Sequence, residues 1–406
     1  MPGDRACNRI SVAVAAVLAA GIVAGILVPA GSGWDFANFY DAGHKVLAGQ
    51  LQDLYDPFAR IEGKPPQGQL AFYGVPLSAL LFAAMAWMPP GAALIAFKAQ
   101  ATGAILLGLW LLYSRNVVRS GLSQAQYRAA FLVAALLFQP FWTIYRVGGQ
   151  TTPTLFLGFV LALIWLTSGR LLAAAVCLVA VVAIKPAFVL TLGLLGVMAG
   201  IRFLAYVAAT GAAAAGISIL TMGWSIHQRF LEHLSAGKIS SWMYNSSISV
   251  ALQDLPALAA LTRVLAAGLV LSVLLRARKR IAGEAAGRHF LFLTAIAFGL
   301  LLMPVVWEHY LSVLFIPVAY FLAAWPRWKW TGVFCLACST QNLVFILWLQ
   351  AVLPTGNLPV QAAAAIFKSA PLILFTVLLW RYWKELAATY DRAAEPAPRM
   401  TVGAYV

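Results

Sequence analysis

The sequence predicts an all-α polytopic membrane protein. It is 62% hydrophobic and only 10% charged, and its apolar runs repeatedly reach the roughly 20 residues needed to cross about 30 Å of hydrocarbon. Its Lys and Arg residues sit in short clusters between those runs, which is the positive-inside pattern. A net charge of +15 therefore reads as membrane topology, and nucleic acid is excluded as a partner.

The first apolar run, 10–30, is long, lacks a clear small-x-small cleavage site and leads a chain full of similar runs, so it is expected to be a retained first helix. A first outer loop follows over about 31–91, opening with "WDFANFYDAGHKVLAGQLQDLYDPFA". Within it Phe39, Ala42, Val46 and Leu47 recur at helical spacing, with Asp41, His44 and Lys45 between them. That pattern suits a helix lying in the membrane interface. Asp53 and Asp56 read as turn residues, "YDP" being a turn sequence.

The segment 70–88 is long enough to cross but carries Gly74 and Pro76 near its start and ends in Pro89-Pro90-Gly91. Whether it crosses decides the side of everything downstream. If it stays interfacial or re-entrant, 18 of the 28 Lys and Arg residues fall on the side of the N-terminus and seven on the other. If it crosses, those numbers become six and 19. The charge bias favours the interfacial reading, with both termini cytoplasmic.

The remaining spans are expected at 92–113, 129–145, 151–168, 171–184, 187–201, 203–222, 255–275, 290–305, 311–324, 331–349 and 361–380, which makes about twelve transmembrane helices with the first. Residues 171–201 divide at Lys185-Pro186, because one span there would move Arg202 and "RARKR" outside and because proline disfavours helix at the residue before it. Residues 1–385 form one integral membrane domain, and 386–406 a disordered cytoplasmic tail. Cys335 and Cys338 fall inside an apolar run and read as packing residues.

Under this topology five stretches converge on the non-cytoplasmic face: the acidic loop, "YRVGGQTT" at 145–152, "IKP" at 184–186, the loop 224–249 and "VVWEHY" at 305–310. Ionisable groups at or just below a membrane surface are costly, so Arg146, Lys185, Glu308 and His309 point to a site there. Trp34, Trp224, Trp242 and Trp307 lie near the same face, where an aromatic belt is the ordinary reading. Lys98 and Lys368, inside spans, are expected to snorkel.

An Asp shortly after the first span, a Gly-containing helix leading to "LYDP", then "GGQ", "IKP", "NSS" and "WEHY" in that order resemble glycosyltransferase family 87 over about Trp34 to Tyr310. The family belongs to the GT-C membrane glycosyltransferases and includes the mannosyltransferases that extend phosphatidylinositol mannosides. The resemblance implies the GT-C fold with juxtamembrane helices in the first outer loop, and a polyprenyl-phosphate sugar as donor. It also implies a lipid or glycan acceptor, inversion at the anomeric carbon and a catalytic Asp in that loop. "NSS" at 245–247 stands where Asn-Gln-Ser is commoner, and Arg263 follows it at a long interval.

Such a transfer needs a base for the acceptor hydroxyl and groups that hold the departing phosphate. Asp35 is the candidate base, with an N-cap of the following helix as its other reading. Asp41 is its competitor, and Tyr40 beside it a candidate substrate contact. Arg146, Lys185 and His309 are candidate phosphate contacts, joined by Glu308 and by Arg263, which falls within a span. Gln150, following a Gly-Gly that lets backbone approach closely, and Asn245 are candidate partners for sugar hydroxyls. No Asp-x-Asp pair occurs in the outer loop, so no metal or other cofactor is expected. Besides donor and acceptor, the expected partners are membrane lipids of a bacterial-type inner (plasma) membrane, with the site facing the periplasm or outside.

Two other functions use some of the same residues. A transporter or flippase of a lipid-linked sugar would bind phosphate with the same cations, but it calls for paired helix breaks in two halves, and only Lys185-Pro186 shows one. An acyltransferase built on His309 leaves the acidic loop without a role.

Overall fold

A computed structural model describes residues 2–28, 34–56, 72–117, 120–146, 149–236, 245–252, 255–281, 285–324, 328–339 and 358–393. They form helices α1 (Pro2–Leu27), α2 (Trp34–Leu47), α3 (Pro76–Ala86), α4 (Pro90–Asn116), α5 (Gln124–Leu137), α6 (Gln139–Arg146), α7 (Thr152–Thr167) and α8 (Leu171–Ile184). There follow α9 (Val189–Met198), α10 (Ile201–Met222), α11 (Trp224–Ala236), α12 (Pro256–Ile281), α13 (Ala285–Leu302), α14 (Phe315–Ala324), α15 (Trp328–Ser339) and α16 (Leu358–Ala393). Among the described residues the only β pairing is a bridge between Asn245 and Trp307.

The protein is all-α and built for a membrane. Val12, Trp110, Val264 and Leu220, the last 87% exposed, face outward from α1, α4, α12 and α10. Exposed apolar side chains in such numbers suit a hydrocarbon neighbour rather than water. Every expected span overlaps a described helix. Among the described residues four helices are long and apolar enough to cross alone, five crossings if the bent pair α5–α6 counts as one. α7, α8, α9, α13 and α14 are shorter. Residues 340–349 of the expected eleventh span lie outside the described residues, and α16 continues helical to Ala393, past the expected start of the tail.

The largest core is centred on α13, whose residues Phe290 to Ala297 are all buried. A helix apolar on every face is a helix surrounded by others, here α7, α9, α12 and α16. Gly299 lets α9 approach, since a Cβ there would lie 1.9 Å from Thr191 Oγ1.

The expected span 129–145 is bent by 46° between α5 and α6. Pro140 has no N–H to give the carbonyl of Leu136 four residues earlier. The indole Nε1 of Trp142 donates to that carbonyl instead, at 2.6 Å. Gly21 makes room for the ring, a Cβ there falling 2.9 Å from it.

Lys98 does not snorkel. It is 2% exposed, and its Nζ donates to the carbonyls of Gly25 and Val28 at 3.1 and 2.8 Å. Those carbonyls end α1, where helical partners run out and a cation is favoured.

A second, smaller core lies over one end of the bundle, formed by α2, the turn Leu51–Asp53, α3, the start of α4 and α11. Phe39 stacks on Phe82 with centroids 4.7 Å apart, and Ile226 and Phe230 of α11 close the cluster. Tyr55 donates to the Gly74 carbonyl at 2.9 Å, and Arg229 pairs with Asp56 at 3.6 Å. The Asp56 amide also donates to the Asp53 carbonyl, as turn residues do.

Segment 70–88 carries helix α3, of 11 residues and about 16 Å of rise. α3 packs on α2 and is tied to the end of α8 by Val75 N–H donating to Ala183 O at 3.2 Å. Close α2–α3 contact depends on Gly43, where a Cβ would lie 2.4 Å from the Phe82 carbonyl oxygen. Gly43→Ala is expected to destabilise the cap by about 1–3 kcal/mol through overpacking. A thermal unfolding series in detergent reads this, and an unchanged midpoint would contradict it.

Candidate active site

Asp35 lies in the first turn of α2, where the helix dipole favours a negative charge. Its carboxylate accepts a hydrogen bond from Nε2 of Gln150, a residue distant in sequence. Gly149 makes this meeting possible. Its φ is +97°, and a Cβ would press on Phe97 at 2.9 Å and on Phe36 Cβ at 3.1 Å. Glycine alone combines that conformation with that approach.

Burial pushes the Asp35 carboxyl up to about 6, against the opposing effects of the nearby Lys185 charge and the Gln150 hydrogen bond. Lys185 occupies the break between α8 and the turn Pro186–Phe188, with φ −138° and ψ 90°. The break expected at Lys185-Pro186 is therefore present, and the charge of its ammonium acts on both Asp35 and His309. The same ammonium lies over the ring of Tyr310, 5.2 Å from its centroid.

His309 and Glu308 begin the turn Glu308–Leu314, whose residues are all buried. His309 Nε2 has no hydrogen-bond partner among the described residues. Glu308 pairs with Lys368 of α16 at 3.3 Å, the two side chains 3% and 1% exposed. Lys368, expected to snorkel, instead carries its charge inward to a carboxylate.

Asn245 serves as a clamp. Its Oδ1 accepts from the amides of Ser247 and Val306 at 2.9 and 3.0 Å, and its Nδ2 donates to Pro304 O at 3.2 Å. The Ser246 amide donates to Val306 O at 2.6 Å. "NSS" is thus laced to the strand-like stretch leading into "WEHY". Arg263 extends the lacing, its Nη1 donating to Ser249 Oγ at 2.9 Å.

The structure therefore gathers Asp35, Gln150, Lys185 and His309, with Glu308 adjoining and Asn245 and Arg263 behind. It does not gather Asp41 or Tyr40. Asp41 pairs with Lys45 at 2.7 Å, and six residues of helix set it about 9 Å along and roughly 240° around from Asp35. Tyr40 is buried in the cap, donating to Met88 O at 2.7 Å. Arg146 ends α6, but its side chain lies outside the described residues, as do Trp34's and Trp242 altogether. Trp224 is 58% exposed.

Two residues escaped the sequence reading. Asn38, one turn after Asp35, is buried with its Oδ1 lacking a partner among the described residues; its i+3 spacing was the available signal. Tyr310 lies beneath Lys185, and only the fold brings them together. Among the described residues no group of three His, Cys, Asp or Glu is placed to hold a metal ion.

Residues 72–304, more than half of the chain, match the model of glycosyltransferase family 87. The chain belongs to that family. It is a membrane glycosyltransferase, as the order of its motifs led one to expect. No curated protein matches it. The part that matches family 87 contains Gln150, Lys185, Asn245 and Arg263, whereas Asp35 precedes it and Glu308, His309 and Lys368 follow it. The geometry of this family 87 site thus draws on segments from both sides of the matched region.

Proposed function

We propose that the chain moves a hexose, mannose being the family's best-known case, from a polyprenyl-phosphate sugar to a lipid or glycan acceptor at the outer face of a bacterial-type inner membrane. The observation that carries this reading is a half-buried, desolvated carboxylate, Asp35, held by Gln150 and within the field of the Lys185 charge.

In the reaction the Asp35 carboxylate takes the proton of an acceptor hydroxyl as that oxygen bonds to the anomeric carbon. The bond from that carbon to the phosphate oxygen breaks, and its electron pair leaves with the polyprenyl phosphate. Lys185 stabilises the departing charge, with the buried His309 beside it. A single displacement of this kind inverts the anomeric centre. An elevated carboxyl pKa suits a base, because the group is a stronger proton acceptor than an ordinary Asp and still mostly ionised near neutral pH. Gln150 orients the carboxylate, and the Asn245 clamp holds the turn that carries His309. The step requires no metal ion.

The test is transfer from a synthetic polyprenyl-phosphate sugar by purified full-length protein in lipid nanodiscs, with and without EDTA. The expected result is an inverted product formed equally in both. Binding of the donor without turnover would instead mark a carrier of lipid-linked sugars.

A further inference from the structure

We propose that Lys368, on the last helix and outside the matched family region, is a positioning residue for the active site. Its ammonium holds Glu308 and so fixes the turn that presents His309 and Tyr310 to Lys185. The inference rests on the transferase reading of that site.

Three observations support it. The Lys368–Glu308 pair is almost wholly buried, 1% and 3% exposed, and joins positions 60 residues apart. A charge buried this deeply is held only in company with an opposite one, so the pair constrains both segments. Next, α16 packs against α12, α13 and the turn Val250–Leu252, which begins three residues after "NSS". The helix thus braces the stretch 245–249 that Asn245 laces to residues 304–307. Finally, Glu308 is followed at once by His309 and Tyr310, and Tyr310 lies under the Lys185 ammonium at 5.2 Å. A shift of Glu308 carries over directly to the groups facing the reacting phosphate.

The experiment compares K368M, K368R, E308Q and the double variant E308Q/K368M in the donor assay. K368M is expected to lower kcat on the order of 10²-fold with donor KM little changed, as misplacement of a remote support does. K368R, which keeps the charge, is expected to regain at least about tenfold of that loss. The double variant is expected to be no worse than the poorer single, because the two side chains act as a unit. K368M retaining wild-type kcat, or losses that multiply in the double variant, would overturn the inference. If K368M does not fold, the double variant decides, having no buried charge left over: wild-type kcat in it would overturn the proposal, and a lowered kcat at unchanged KM supports it.

Should wild-type protein not turn over the donor, the proposed polyprenyl-phosphate reading fails and hydrogen exchange tests Lys368 separately. The amides of Ser246, Val306 and Tyr310, all bonded in this stretch, are expected to exchange faster in K368M than in K368R. Equal exchange would refute the bracing role.

Discussion

Asp35→Asn is expected to abolish sugar transfer while making the folded protein more stable. The substitution is nearly isosteric, and the new amide oxygen still accepts from Gln150, so the local geometry survives. What is lost is the acceptor for the incoming proton, a contribution of about 10²–10⁴-fold in rate. The stability gain follows from the raised carboxyl pKa. Folding moves it from 3.8 to about 6, so the folded protein holds the proton more tightly than the unfolded chain does. Ionising the buried group opposes folding by roughly 3 kcal/mol once the pH is above 6. Below the unfolded value the carboxyl is protonated in both states and the opposition vanishes; between 3.8 and 6 it grows with pH.

Thermal unfolding in detergent should therefore place Asp35→Asn above wild type at pH 7.5, with the difference closing toward pH 4. Wild-type kcat should rise through pH 6 as the base ionises. Full activity in Asp35→Asn would remove Asp35 from the mechanism. Asp41→Asn, by contrast, breaks a partly exposed pair with Lys45, an interaction of at most about 1 kcal/mol, and should keep its turnover.

Lys185→Met is the second large effect expected. The charge of this ammonium acts on both Asp35 and His309, and removing one preorganised group for developing charge lowers kcat by about 10²–10³-fold. A second consequence distinguishes this from general damage. Lys185 holds the Asp35 carboxyl pKa down against burial, so in Lys185→Met that value rises above 6. The acid limb of the residual kcat should move to higher pH. A limb that stays in place would separate Lys185 from the base, and an unchanged kcat would separate it from the leaving group.

Much of this was legible in the chain itself. The bilayer fixes how long an apolar run must be, so each expected span overlaps a described helix, whereas the amphipathic α11 lies in a stretch expected to be loop. The Lys185-Pro186 break was readable because proline forbids helix at a definite place. The interfacial reading of 70–88 came from counting charges; the structure gives that segment a helix, α3, of 11 residues. Asp41, read as the rival base, instead pairs with Lys45 one turn on, a contact that i,i+4 spacing allows.

Other features depended on which helices become neighbours. Lys98 and Lys368 have the sequence signature of snorkelling residues, and snorkelling is what a lysine does when only lipid surrounds it. One finds the open carbonyls of α1 and the other the carboxylate of Glu308, because helices from distant parts of the chain pack there. Asn245 reads as a sugar contact from its place in a motif, yet its amide is engaged by backbone about 60 residues away. Asp35 and Gln150 were each visible, but nothing in sequence says that they touch.

The sequence by itself determined an all-α membrane chain, its order of helices and the motifs of a family 87 glycosyltransferase, since hydrocarbon thickness and proline act on a chain locally. The tertiary structure alone decided which aspartate meets Gln150 within the field of the Lys185 charge and which lysines are held inside. Burial and pairing arise only where separate helices meet.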